Sequence, residues 1–107
     1  MLIALDFDGT YTADPELWIG FIAAARARGH QVWLVTMRDE FEGADVNRQL
    51  LGKVDRIVFT GRRAKLPFLE ARGIHPQIWI DDMPRWILND AAPAGLRAGG
   101  ALEWESA

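Results

Sequence analysis

The stretch LIALDFDGT, residues 2–10, places two carboxylates, Asp6 and Asp8, at the end of the first apolar run of the chain. Residues 2–7 predict a short buried strand that ends before Gly9. A buried carboxylate is costly unless water, a cation or a hydrogen-bond donor meets it. The rest of the sequence decides whether this stretch is an acidic turn or a functional site.

Strands and helices alternate along the rest of the chain. Further apolar runs predict strands at residues 31–35, 56–59 and 77–80, and helices at residues 15–28, 43–51, 64–72 and 84–89. Strands that are apolar throughout, rather than alternating, indicate a parallel sheet covered on both faces. We therefore predict one α/β domain over residues 1–107, a three-layer, Rossmann-like parallel sheet of four to five strands, with the fifth at residues 101–104.

The composition limits the classes of function. The 107 residues include no cysteine, which excludes disulfides, thiolate metal sites and cysteine nucleophiles. A net charge of −3 is not typical of a protein that coats nucleic acid or a membrane surface. The chain shows no secretory signal and no apolar run near the roughly 20 residues that span a bilayer. We expect a cytoplasmic protein without membrane partners, for which a nucleic acid would serve only as a substrate.

Polar residues collect where the predicted strands end. Right-handed crossovers bring the carboxyl ends of parallel strands to one edge of the sheet, where ligands bind. The residues expected at this edge are Asp6, Asp8, Thr36, Lys65, Asp81 and Asp82. Four clustered carboxylates repel one another unless a cation or protonation relieves them. Because all the ligand atoms are oxygens, the pattern predicts a hard cation such as Mg²⁺.

These residue types can support phosphoryl transfer. Asp6 could attack phosphorus in line and form an aspartyl-phosphate. Asp8 could act first as general acid on the leaving group and then as general base on water. Thr36 and Lys65 could bind phosphate oxygens, where the lysine would offset the developing negative charge. The expected partner is therefore a phosphorylated substrate.

Residues outside this set are weaker candidates. Arg38 could bind substrate phosphate, although a surface arginine is at least as common. Tyr11, in the short segment after the first acidic pair, is a candidate for substrate contact. Trp86 could stack on a base, although packing is the simpler explanation. The basic pair at residues 62–63, close to Lys65, favours a polyanionic substrate.

The order of these residues resembles the four motifs of the haloacid dehalogenase (HAD) superfamily. The matching positions are DFDGT at 6–10, Thr36, Lys65 and the acidic pair at 81–82. The resemblance spans residues 2 to about 88, with each motif at a predicted strand end or, for the lysine, shortly after one. It implies a HAD-type fold and a covalent mechanism.

The resemblance also implies individual roles. Asp6 would be the nucleophile and Asp8 the general acid and base. Mg²⁺ would be bound by Asp6, by the main-chain carbonyl oxygen of Asp8 and by the acidic pair. Asp82 holds the position of the direct ligand, with Asp81 beside it or acting through water. A second aspartate at position 8 is typical of the phosphatases and phosphomutases of the superfamily and not of its dehalogenases.

The motif spacing leaves no room for a cap domain. Members of the superfamily that act on small metabolites usually insert a cap after the first motif or between the second and the third. Here residues 11–14 follow the first motif, and one helix and one strand fill the chain between Thr36 and Lys65. The chain resembles short capless hydrolases of phages and bacteria. An open site would suit a nucleotide, a nucleic-acid end, a phosphoprotein or another bulky phosphoester, whereas oligomerisation could cover it for a small substrate.

Two other functions fit part of the pattern. A phospho-accepting receiver domain also combines a parallel sheet with clustered aspartates, a threonine and a lysine. Its phosphorylated aspartate follows the third strand, however, where this chain has FTGRR at residues 59–63. A catalytically idle phosphate-binding module would explain the fold, but none of the motif residues is lost. We therefore expect a Mg²⁺-dependent phosphatase.

Overall fold

The computed structural model describes residues 1–92, which form an alternating series of strands and helices. The strands are β1 (Leu2–Leu5), β2 (Gln31–Thr36), β3 (Arg56–Phe59) and β4 (Ile78–Ile80). The α-helices are α1 (Pro15–Ala27), α2 (Ala44–Leu50), α3 (Lys65–Glu70) and α4 (Arg85–Leu88). Two single-turn 3-10 helices occupy Tyr11–Ala13 and Glu40–Glu42. The predicted strand at residues 101–104 lies outside the described residues.

The four strands form one parallel sheet in the order β3-β2-β1-β4. In the register of the sheet, Ala4 of β1 lies between Trp33 of β2 and Trp79 of β4. The chain moves outward from β1 to β3 and then returns to the other side of β1 for β4. Ligands of open parallel sheets bind at such a change of direction, beyond the carboxyl ends of the strands. The predicted parallel α/β fold is therefore confirmed.

Both faces of the sheet are covered, as the apolar strands predict. Side chains of β1 and β2 alternate between two hydrophobic clusters. The larger cluster packs α1 and α2 against Ile3, Leu5, Val32 and Leu34. The smaller one contains Ala4 and Val35 with Leu69 of α3. No helix among residues 1–92 is long and apolar enough to cross a membrane.

The first strand is shorter than the sequence predicts, and this sets the geometry of the acidic stretch. The main-chain N–H of Asp6 still donates to the carbonyl of Ile80 at 2.9 Å. The chain then turns, and the N–H of Thr12 donates back to the carbonyl of Phe7 at 3.1 Å. Asp8 therefore lies in a turn beyond the sheet and not on the same strand face as Asp6.

Candidate active site

Asp6 and Lys65 form a buried ion pair at the carboxyl end of β1. They are 7% and 2% exposed. Lys65, the first residue of α3, donates from Nζ to Oδ1 of Asp6 at 2.7 Å and to Oδ2 of Asp81 at 2.6 Å. One ammonium group thus connects carboxylates from the two adjacent strand ends, as the sheet topology predicts.

Asp82 completes an acidic cluster with Asp6 and Asp81. One carboxylate oxygen from each of the three lies within 4.8 Å of the others. The hydroxyl of Thr10 is 3.0 Å from Oδ2 of Asp6 and 3.1 Å from Oδ1 of Asp82, and it accepts the N–H of Asp82 at 3.0 Å. Since a hydroxyl has one proton, Thr10 can donate to only one of these carboxylates at a time. The oxygen of the second carboxylate is then left to water or to a cation.

The electrostatic balance of this cluster also favours a cation. Burial raises the pKa of Asp6 to about 7; Lys65 opposes this rise, whereas the nearby Asp81 adds to it. Three carboxylates face a single ammonium group, so the charge is not balanced by side chains. A hard divalent ion prefers oxygen ligands in this arrangement. The donor set of Asp6, Asp81 and Asp82 therefore fits Mg²⁺.

Gly9 allows the acidic cluster to close. Its φ of +85° lies in the left-handed region that disfavours L side chains. A Cβ atom at this position would lie 2.3 Å from Oδ2 of Asp82. Glycine is therefore required both by the backbone of the turn and by the carboxylate that approaches it.

Asp8 is exposed and is held by Arg38. The guanidinium group donates from Nε to Oδ2 at 2.9 Å and from Nη2 to Oδ1 at 2.8 Å, a bidentate pair. A third bond runs from Nη1 to the main-chain carbonyl of Glu42 at 2.9 Å, and the group lies 5.1 Å from the ring centre of Phe7. The hydrogen bonds to Asp8 raise the pKa of Arg38. Arg38 thus contacts the predicted acid and base directly, a pairing that sequence reasoning did not anticipate.

An open cleft of about 480 Å³ brings the predicted residues together. Its lining includes all but one of them, namely Asp6, Asp8, Thr36, Arg38, Lys65, Asp81 and Asp82. Thr36 is buried at the end of β2, where its hydroxyl accepts the N–H of Arg38 at 3.3 Å. The cleft is additionally lined by Met37, Glu42, Arg62, Met83, Trp86 and Ala91. Of these additional residues, Trp86 and Arg62 are candidates for substrate contact from the sequence, whereas Glu42 is expected from the sequence to lie in an exposed acidic loop.

Tyr11 is the predicted site residue that does not line the cleft. It is 3% exposed and belongs to the larger hydrophobic cluster. Its ring stacks on Phe7 with 5.6 Å between ring centres. The 3-10 turn after the acidic stretch directs this side chain into the core, so the structure gives no support to the expected contact between Tyr11 and substrate.

The basic residues near Lys65 do not form one surface patch. Arg62 donates to the carboxylate of Glu42 at 3.0 Å and to the carbonyl of Met37 at 2.7 Å, inside the cleft. Arg63 is exposed and lines a different pocket, whereas Lys65 is buried. The three basic side chains on which the expectation of a polyanionic substrate depends therefore lie in different environments and do not form one binding surface.

Comparison of the chain with protein-family models, with curated proteins and with solved structures gave no match. The likeness to the HAD superfamily consequently remains a resemblance of motifs and spacing. The functional conclusions below depend on the residues of the cleft and their geometry.

Proposed function

We propose that this protein is a Mg²⁺-dependent phosphatase that acts through an aspartyl-phosphate intermediate. The observation that carries the proposal is the placement of Asp6, a buried carboxylate at the carboxyl end of the central strand that lines an open cleft. Lys65 contacts it directly, and Asp81 and Asp82 lie within reach of the same ion. A carboxylate nucleophile beside fixed positive charge is the arrangement that phosphoryl transfer needs.

The reaction divides into two displacements at phosphorus. In the first, a carboxylate oxygen of Asp6 bonds to phosphorus while the bond from phosphorus to the ester oxygen breaks, and Asp8 gives a proton to the departing oxygen. In the second, water attacks the phosphorus of the aspartyl-phosphate and gives a proton to Asp8. The bond to Asp6 then breaks, and inorganic phosphate leaves.

The remaining residues bind and balance charge. Lys65 and the hydroxyl of Thr36 would hold phosphoryl oxygens. Mg²⁺ would be held by Asp6, Asp81 and Asp82, with the main-chain carbonyl oxygen of Asp8 as the further ligand that the resemblance implies. Bound there, the ion would supply positive charge beside the phosphoryl group.

Arg38 connects substrate binding to the proton transfer. Its two hydrogen bonds engage both carboxylate oxygens of Asp8, so Asp8 is not available to a leaving group while this pair persists. A phosphate dianion is also a good bidentate partner for arginine. Substrate phosphate would compete for Arg38 and release Asp8 for its role as acid.

Hydrolysis of an aryl phosphate tests this proposal. We expect turnover with Mg²⁺, loss of turnover with a chelator, and a fall of at least about a thousandfold in Asp6→Asn, the scale of loss when a nucleophile is removed. Asp14→Asn is the matched control, because Asn caps the start of α1 about as well as the Asp that accepts the N–H of Leu17 there.

Two outcomes would contradict the phosphatase proposal. Wild-type rates in Asp6→Asn would remove the covalent mechanism. A folded wild-type protein that binds Mg²⁺ and phosphate, yet hydrolyses no member of a panel of nucleotides, sugar phosphates and phosphopeptides, would instead be a phosphate-binding module.

A further inference from the structure

Four residues that line the cleft carry apolar side chains with no part in the proposed phosphoryl chemistry, namely Met37, Met83, Trp86 and Ala91. Three of them, Met83, Trp86 and Ala91, belong to the segment around α4, which we call the apolar wall. Met83 is 40% exposed, and Trp86, on α4, is half-buried. The cleft of about 480 Å³ lies within the range of roughly 300–1,000 Å³ that encloses an organic ligand of moderate size. It therefore has room for much more than a phosphate group.

Hydrogen bonds fix this apolar wall to the catalytic elements. The N–H of Met83 donates to Oδ1 of Asp81 at 3.0 Å, so the wall begins at the acidic pair. The N–H of Ala91 donates to the carbonyl of Arg62 at 2.7 Å. Nearby, Oδ1 of Asp90 accepts the N–H of Ala64 at 2.7 Å. The segment that carries Trp86 is thus attached at both ends to residues next to the proposed catalytic groups.

The charges of the cleft favour a single phosphoryl group. Among residues 1–92, five carboxylates and three cationic groups line it, which leaves two formal negative charges. Arg38 and Arg62 already pair with Asp8 and Glu42. One divalent ion would balance this excess, and the described part of the chain offers no further cationic lining group for a second or third phosphate. Recognition of the leaving group must therefore come mainly from the apolar wall.

We propose, as an extension of the phosphatase function above, that the substrate is a nucleoside monophosphate whose base stacks on Trp86 beside Met83. A base is planar and uncharged, which matches both the indole face and the charge balance. Every base has a π-face that can stack on an aromatic side chain, so this contact does not depend on which base is present. A methionine sulfur makes favourable contacts with aromatic rings. The Arg85 guanidinium, 5.6 Å from the Trp86 ring centre, adds the cation that strengthens such stacks.

A comparison of adenosine 5′-monophosphate with ribose 5-phosphate isolates the base, because the two share the phosphoester and the sugar. In the wild-type protein we expect kcat/KM to be about 5- to 150-fold higher for the nucleotide, the equivalent of 1–3 kcal/mol. Trp86→Leu should bring this ratio close to one, and Trp86→Phe should restore part of it. Trp33→Phe is the control, since Trp33 lies in β2, packs against the smaller hydrophobic cluster and is outside the cleft lining.

Equilibrium binding separates this inference from the phosphatase proposal. The dissociation constants of the two ligands are measured by calorimetry on Asp6→Asn protein with Mg²⁺, with and without Trp86→Leu. Tighter binding of the nucleotide that depends on Trp86 would support base recognition even if no substrate were hydrolysed. Equal affinities for the two ligands, or a preference that Trp86→Leu and Trp86→Phe both leave intact, would overturn it while leaving the phosphatase proposal untouched.

Discussion

Gly9 shows how one residue can be constrained by backbone and by site together. Its positive φ favours glycine, and the carboxylate of Asp82 occupies the space that a side chain would need. Gly29 has the same φ of +85°, but a Cβ there would meet no atom within 4 Å. Both positions therefore favour glycine for its backbone conformation, but only at Gly9 does a neighbouring side chain, Asp82, occupy the space of a Cβ atom.

Alanine at these two glycines should consequently give different results. Gly29→Ala should cost about 1–2 kcal/mol, the penalty of a left-handed conformation for an L side chain. Gly9→Ala should lower the free energy of unfolding further and weaken Mg²⁺ binding, because Asp82 has to move. Urea denaturation measures the first effect and calorimetric titration with Mg²⁺ the second. If the two variants lose the same free energy of unfolding and Gly9→Ala binds Mg²⁺ as tightly as the wild-type protein, the contact between Asp82 and position 9 has no consequence.

Glu42 stabilises the connection between β2 and α2 through hydrogen bonds. The carboxylate of this residue accepts the main-chain N–H of Asp39 at 2.9 Å and a guanidinium N–H of Arg62 at 3.0 Å. The hydrogen bond from Asp39 and the pairing with Arg62 lower the pKa of Glu42 below its usual 4.5. The same connection carries Arg38, so its order matters for the contact with Asp8.

The pH dependence of stability should reveal this interaction. Because the pKa of Glu42 is lower in the folded than in the unfolded protein, its ionised carboxylate adds to the free energy of unfolding at pH values above the unfolded pKa. This contribution is lost as the pH falls through the pKa of the folded protein. We expect Glu42→Gln to cost about 1 kcal/mol at neutral pH, typical of a lost hydrogen bond. The difference in the free energy of unfolding between this variant and the wild-type protein should shrink towards zero as the pH falls below 4.5. Glu40→Gln, at the exposed neighbour, is the control, and a pH-independent difference for Glu42→Gln would refute the assignment.

At the scale of the whole molecule, the described residues, 1–92, pack unequally on the two faces of the sheet. Among them, the hydrophobic cluster on the face that holds α3 has three fully buried members, and one of these, Leu69, lies one turn after Lys65. The position of the buried lysine therefore depends on a small cluster.

Leu69→Ala should be strongly destabilising for this reason. Removal of a fully buried leucine side chain costs about 2–5 kcal/mol, and here the loss should also loosen the helix that carries Lys65. Leu51→Ala, at a side chain that is 72% exposed, should change the free energy of unfolding by less than about 0.5 kcal/mol. Urea denaturation of both variants measures these changes. Similar changes in the free energy of unfolding would mean that the smaller cluster contributes little to stability.

Much of this architecture follows from local patterns in the sequence. Apolar runs predict the strands because both faces of a parallel sheet are buried, and the predicted bounds of β3 are confirmed without change. The predicted start of α1 at residue 15 is also confirmed, because Pro15 occupies the first turn and the side chain of Asp14 accepts the N–H of Leu17 as a helix cap. The rule that parallel strands end at one edge also predicts correctly that Asp6, Lys65 and Asp81 meet there.

Side-chain orientation in the connecting segments could not be predicted in the same way. Tyr11 turns into the core and Arg38 turns towards Asp8, and each orientation depends on a short turn that has no periodicity. Arg62 enters the cleft from a backbone with φ of 69°, a conformation that is rare for a residue with a side chain. Such details depend on contacts between distant segments and not on a local pattern.

The long separations within the site have a consequence for folding. The contact between Lys65 and Asp6 closes 59 positions of chain, and that between Thr10 and Asp82 closes 72. Contacts of this length impose a large loop-closure cost before they stabilise anything, so they belong to the slow, non-local part of folding. No fragment that lacks β4 can contain the acidic cluster. Affinity for Mg²⁺ should therefore appear only when β4 has joined the sheet, and it would report this step in a refolding experiment.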